Sequence, residues 1–149
     1  MIEPRVASLA AKNTRDVDIN RLMAHVAEEN AALAKNDIGM ALALSGRFHI
    51  ALCDIAGHKV LGAFVQSLIS RSSLIIALYW RRRETACESH SHAALIEALA
   101  AHDVAAAETL MKSHIVDLHS GLDLSRRDEP ETVLADVLGV KPVARSHAR

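Results

Sequence analysis

Apolar residues recur along most of the chain at intervals of three and four, the spacing that places them on one side of an α-helix. Asparagine, aspartate and glycine residues interrupt this pattern and divide the chain into segments. No stretch alternates with the two-residue period of a strand, so we expect an all-α protein. The predicted helices cover residues 2–12, 17–35, 38–56, 59–83, 92–101, 104–120 and 131–138.

Three histidines stand within these apolar stripes instead of on the polar sides of the helices. His49, His92 and His114 each take a stripe position on a different predicted helix, so we expect all three imidazoles to face the interior. One such histidine is more often a hydrogen-bonded core residue than a ligand, because histidine is of intermediate burial. For all three together, a shared metal ion and three separate core histidines are about equally well supported.

The chemistry of a shared site follows from the residue types. Three neutral imidazoles offer three nitrogen ligands, which suit Zn, Ni, Co or Fe and leave positions open to water or a carboxylate. Ser45 lies one turn before His49 on the same helix face. A carboxylate there would complete a chelating pair, whereas a serine hydroxyl stays protonated at neutral pH and is a poor ligand. His58 opens a helix, where we expect it to act as a cap.

Arg71 falls in the middle of the most apolar predicted helix, and we expect it to be buried. A buried guanidinium needs an anionic partner. Two interpretations have equal support: a clamp for a carboxylate ligand, or a salt bridge to an acidic residue of a neighbouring helix. Because Arg71 and several serines lie within residues 60–80, we interpret this region as a buried helix and not as a membrane span.

Composition narrows the possibilities further. The 149 residues suit one domain, predicted as a helical body over residues 1–124 and a charged linker, short helix and frayed tail over residues 125–149. The net charge of −1 provides no broad basic field for nucleic acid. Two cysteines are too few for a disulfide scaffold and match a reducing compartment, so we expect a cytoplasmic protein. The sequence contains no glycine-rich phosphate loop, nucleophile elbow or Cys-x-x-Cys pair.

One extended pattern connects the histidines, and it resembles the FCD domain, the C-terminal effector domain of the FadR subfamily of GntR-family bacterial transcription regulators. The 22-residue spacing from His92 to His114 is its most specific element, and the resemblance covers about residues 2–122. The pattern consists of Phe48-His49, then Ala56-Gly57-His58 opening a helix, then His92-(x)2-Leu95-Ile96-(x)-Ala98-Leu99-(x)3-Asp103-(x)3-Ala107-(x)3-Met111-(x)2-His114.

The resemblance implies an antiparallel bundle of six or seven helices around a central cavity. The cavity would hold a small organic acid beside a divalent metal, with Zn or Ni expected ahead of other metals. Metal-binding members carry Asp-x-x-x-His on one helix and two later histidines. Those positions are Ser45, His49, His92 and His114 here, so three of the four match. Ser45, His58 and Arg71 are expected to contact the ligand. The serine leaves three alternatives: water replaces the carboxylate, the metal site is weaker, or the effector binds without metal.

The resemblance also implies a homodimer that contacts DNA only through an N-terminal winged helix-turn-helix domain, which we expect to be absent because no such motif precedes residue 2. Two other functions are considered. A small metal-dependent hydrolase or lyase would use the open metal positions, but no general base is evident near the histidines. A structural helical interaction module would leave the histidines inert.

Overall fold

Six α-helices make up the fold in the computed structural model, which describes residues 1–80 and 86–123. These described residues contain no strand longer than a single bridge, which confirms the predicted all-α class. The helix predicted at 131–138 and the linker before it lie outside the described residues. The helices are α1 (Glu3–Asn13), α2 (Asp16–Ala34), α3 (Ile38–Ala56), α4 (Lys59–Tyr79), α5 (Ala86–Ala100) and α6 (Val104–Ser120).

Two helix boundaries differ from the prediction. Helix α4 ends at Tyr79 and not at residue 83, because Trp80 adopts an extended backbone (φ −78°, ψ 124°). Helix α5 begins at Ala86, six residues before the predicted start at residue 92. Residues 84–91 were expected to form a polar connection, but they contain neither glycine nor proline, and polar composition alone does not stop a helix.

Polar side chains cap the first turns of three helices. The Asp37 side chain accepts a hydrogen bond from the backbone N–H of Met40 (3.0 Å), and Asp103 caps α6 in the same way. His58 caps α4, because its Nδ1 accepts the N–H of Leu61 at 3.3 Å. The capping role expected for His58 is therefore confirmed.

The main core forms where α1, α3, α5 and α6 pack together, with α2 against α3 and α5. Helix α3 is central, since it contacts α1, α2 and α4. This arrangement brings the inward faces of α3, α5 and α6 to one place. The largest fully buried apolar side chains are Phe48, Leu22, Leu52, Leu95, Leu99, Met111 and Val65.

Helix α4 is the exception to this burial, and the expectation that residues 60–80 are buried is wrong for the single chain. Val65 is its only buried residue, while Val60, Phe64 and Leu68 are 62%, 58% and 46% exposed. Helix α4 packs on α3, and no other described helix covers its outer side to a comparable extent. By length and apolar composition alone, both α3 and α4 could cross a membrane, although α3 serves here as a core helix.

The C-terminal ends of α4 and α6 are joined. Trp80 forms an antiparallel bridge with Leu122, and the N–H of Asp123 donates to the carbonyl of Tyr79 at 2.9 Å. The indole of Trp80 lies directly against Gly121, where a Cβ atom would overlap the ring. Glycine at position 121 therefore permits this close approach, which links α4 to the helix that carries His114.

Candidate metal centre

His49, His92 and His114 come together in the interior from α3, α5 and α6. Their side chains are buried as predicted, with relative exposures of 6%, 0% and 4%. One ring nitrogen of each lies within 4.8 Å of the others, and the Nε2 atoms of His49 and His114 are 3.3 Å apart. Two nitrogens on one tetrahedral Zn²⁺, each at about 2.0–2.1 Å, would also be about 3.3 Å apart. The spacing of this pair therefore fits a shared ion.

Ring packing fixes the orientations of the three imidazoles. Phe48 stacks on His92 with a centroid distance of 4.2 Å and an interplanar angle of 22°. The rings of His49 and His114 also stack, with centroids 5.2 Å apart. Because the neighbouring rings restrict rotation, the nitrogens are held in place before any ligand binds.

Burial keeps two of the imidazoles neutral. It lowers the pKa of His92 to about 3, with the neighbouring His49 as a second cause. Burial and then His49 lower the pKa of His114 in the same direction. Both rings are therefore uncharged near pH 7, and their lone pairs are available to a metal.

Two carboxylates that we did not identify from the sequence contact this cluster. Glu29 of α2 is 1% exposed, and its Oε2 lies 3.0 Å from Nδ1 of His92. The Ser45 hydroxyl lies beside the same carboxylate. Glu3 of α1 places Oε2 2.5 Å from Nδ1 of His49. Each carboxylate thus meets the Nδ1 side of one imidazole, the arrangement by which proteins orient metal-binding histidines.

The environments of the two carboxylates differ. Burial raises the pKa of Glu29 to about 7, although His49 and the nearby Ser45 hydroxyl act in the opposite direction. Burial also opposes ionisation of Glu3, but the contact with His49 outweighs it, so the pKa of Glu3 is lowered. Glu3 is therefore the more readily ionised of the two.

An unpartnered buried nitrogen supports the metal interpretation independently. Nε2 of His92 has no hydrogen-bond partner among the described residues, although it is shielded from solvent. A buried polar atom without a partner costs about 1–3 kcal/mol. A metal ligated by the three histidines would satisfy this nitrogen, so the residues present fit a three-nitrogen site.

A cavity of about 350 Å³ adjoins the cluster on the side of His49, Glu3 and Ser45. Helix α4 supplies the opposite wall, including Arg71 and two serines. Most of the remaining lining is aliphatic: Leu42, Leu68, Ile69, Ile75, Ile76, Ile115, Leu118 and Leu122.

Of the three residues predicted to contact the ligand, two line the cavity and one does not. Ser45 lines the cavity and is buried. Arg71 also lines it but is exposed, so the expectation of a buried guanidinium is wrong, because the outer side of α4 is uncovered. No acidic side chain among the described residues pairs with Arg71. His58 does not line the cavity and instead caps α4.

Comparison with known families agrees with this geometry. A model of the FCD domain matches residues 1–117. The chain belongs to the FCD family. The resemblance drawn from the histidine pattern is therefore confirmed at the level of the family.

A solved structure described as Streptococcus agalactiae GntR has a similar fold. It superimposes on this FCD domain with a TM-score of 0.69 at 23% sequence identity. The alignment covers 79% of this chain and 52% of that one, so the FCD domain spans about half the length of its structural relative. The search of curated proteins gave no match.

Proposed function

We propose that this FCD domain senses a small carboxylic acid for a cytoplasmic GntR-type transcription regulator and holds a divalent metal, Zn or Ni, through His49, His92 and His114. The main support is the convergence of three buried imidazoles beside a cavity. In this proposal the effector favours one arrangement of a dimer and alters DNA affinity through a winged helix-turn-helix domain elsewhere in the regulator.

The cavity restricts the chemistry of the effector. Its polar groups gather near His49 and at Arg71, whereas most of the wall is aliphatic. A single carboxylate that used both the metal and Arg71 would leave no cation for another, so a second carboxylate against the aliphatic wall would lose its hydration without gaining a partner. Glu3 at the same end would also repel additional negative charge. We therefore propose a monocarboxylate with an apolar body as the effector.

Hexanoate and adipate test this choice, since they have the same number of carbons and differ by one carboxylate. For Zn²⁺-loaded protein, we expect hexanoate to bind at least about tenfold more tightly than adipate, because adipate must desolvate a second charge. Isothermal titration calorimetry would measure both affinities. Equal or tighter binding of adipate would contradict the apolar body. If a wider panel of small carboxylic acids also fails to bind, the sensing function is wrong.

Arg71 is expected to attract the carboxylate at the rim of the cavity. The Arg71→Ala substitution should weaken binding of the preferred acid about tenfold, or about 1.4 kcal/mol, because the guanidinium is the cation that lines the cavity. Arg47→Ala is the matched control, since Arg47 is also exposed but lies outside the cavity lining. If the two variants have equal affinities, Arg71 has no role in binding.

We propose that the exposed apolar face of α4 forms a homodimer interface. Val60, Phe64 and Leu68 follow one another at four-residue intervals and are all exposed. Phe64→Lys should therefore produce a monomer, whereas Val17→Lys on α2, which replaces a residue 61% exposed, should leave the dimer intact. Multi-angle light scattering would distinguish the two states. A wild-type species of 16.1 kDa at micromolar concentration would rule out the dimer.

The hydrolase or lyase alternative gains carboxylates near the histidines, but the one whose pKa suits a general base lies outside the cavity lining. Glu29 has a pKa of about 7, a value that suits a general base. However, it is buried against His92 and does not line the cavity, so it has no direct route to a substrate. Turnover of any acid in the panel by Zn²⁺-loaded protein would support the enzyme. Absence of metal from purified protein and failure to bind added Zn²⁺ would favour the structural module.

A further inference from the structure

We propose that Glu29, which lies beside Ser45, is the carboxylate that positions His92 for the metal, and that positions 29 and 45 can together hold only one carboxylate. This inference rests on the proposed metal site. It gives Ser45 a different role from the one that the sequence suggests. In the sequence, Ser45 stands where metal-binding members carry an acidic ligand. In the structure the serine instead lies beside an acid that a different helix supplies.

Glu29 is buried and lies against two other helices. Its side chain is almost fully buried, yet its neighbour Glu28 is exposed. A carboxylate is retained in such a place when hydrogen bonds compensate for its lost hydration. His92 and Ser45 both contact it, from α5 and α3. Glu29 therefore joins three helices at one buried point.

The contact with Glu29 also determines the chemistry of His92. When Nδ1–H donates to the Glu29 carboxylate, Nε2 keeps its lone pair. Nε2 is also the atom that lacks a partner among the described residues. Phe48 stacks on the ring and limits its rotation. The contact with Glu29 thus selects both the tautomer and the direction required of a metal ligand.

A carboxylate at position 45 would change the surroundings of Glu29. Considered alone, an aspartate one turn before His49 would complete a chelating pair. In the folded protein, Ser45→Asp would replace the hydroxyl beside Glu29 with a second carboxylate. A hydroxyl can donate a hydrogen bond to the Glu29 carboxylate, whereas an ionised aspartate only accepts and would face it as a second acceptor. We therefore expect Ser45→Asp to weaken metal binding unless Glu29 is neutralised at the same time.

A double-mutant cycle tests this relation through Zn²⁺ affinity, measured by competition with a chromophoric chelator. Glu29→Gln should weaken binding about ten- to a hundredfold, the usual range for the residue that orients a ligand. Ser45→Asp alone should also weaken it. The double variant should bind more tightly than Ser45→Asp alone. It holds a single carboxylate at positions 29 and 45, whereas Ser45→Asp alone holds two. Glu28→Gln is the control and should bind like the wild type.

A second readout does not require metal. The side-chain ¹⁵N shifts of His92 in the metal-free protein should report the Nδ1–H tautomer in the wild type. They should report a mixture in Glu29→Gln, because an amide can donate as well as accept. Wild-type affinity together with an unchanged tautomer in Glu29→Gln would overturn the inference. If that variant does not fold, Ser45→Asp decides: weaker binding supports the inference and tighter binding overturns it.

The same measurements separate this inference from the proposed function. If the wild type binds no Zn²⁺, the proposed metal site is wrong, and the tautomer alone then decides whether Glu29 positions His92. If the wild type binds Zn²⁺ but Glu29→Gln binds it equally well with the same tautomer, the metal site stands and the role of Glu29 fails.

Discussion

Replacement of His114 by alanine is expected to weaken Zn²⁺ binding by at least about 100-fold, because it removes one of three buried nitrogen ligands and structural Zn²⁺ sites bind with about 10–16 kcal/mol in total. The wild type should also gain about 2.7 kcal/mol in unfolding free energy when Zn²⁺ is present at 100 times its Kd. The variant should gain little at the same concentration. Chelator competition and thermal melts would measure both effects.

His25→Ala provides the control for that experiment. His25 lies on α2, outside both the histidine cluster and the cavity lining, so its removal should leave the affinity for Zn²⁺ unchanged. If His114→Ala binds Zn²⁺ as tightly as His25→Ala, the three histidines do not form the site. They would then be better described as core residues beside a metal-free cavity.

Acidification is expected to destabilise the metal-free domain. The pKa values of His92 and His114 are lowered by folding, so the unfolded chain takes up two protons that the folded state does not. The stability from these two groups is present above pH 6.5, the ordinary histidine value, and is lost as the pH falls below it. Glu29 acts in the opposite sense, since its folded pKa of about 7 lies above its ordinary value of 4.5 and folding retains a proton between the two.

Between pH 6.5 and pH 4.5, the unfolded chain binds two protons at the histidines and the folded chain binds one at Glu29. The unfolded state therefore holds one more proton than the folded state over this interval. The unfolding free energy should therefore decrease by about 1.4 kcal/mol per pH unit, or about 3 kcal/mol over this interval. Urea titrations at the two pH values would measure it. Glu29→Gln removes the opposing carboxyl, so its decrease should be about twice as steep. A constant unfolding free energy between these pH values would show that the histidines are not buried in neutral form.

The helices and the inward direction of the histidines could be predicted because both follow from the three-and-four spacing of apolar residues within single segments. The exposure of α4 could not be predicted in this way. Phe64 and Leu68 lie on an apolar stripe like those of the core helices, and the sequence does not tell whether the same chain or another copy covers a stripe. The expected burial of Arg71 was wrong for the same reason, since its helix lies on the outside.

Glu29 and Glu3 were missed because identical residue types on a helix surface are common. Glu29 nevertheless occupies an inward position, following Leu22 and Val26 and preceding Leu33 at steps of four, three and four. An acidic residue in an apolar register was therefore a usable signal. Its partner could not be inferred, because His92 lies 63 residues away and only the packing of α2 against α5 brings them together. Glu3 resembled an ordinary first-turn acid, which the helix dipole favours.

The junction of Trp80 with Gly121 and Leu122 has an experimental consequence. Trp80 is the only tryptophan in the chain, and the residue it bridges, Leu122, lines the cavity. Intrinsic fluorescence excited at the indole band therefore comes from one position beside the far wall of the cavity. The protein carries its own optical probe of cavity occupancy, and a titration can be followed at nanomolar protein concentration without a label.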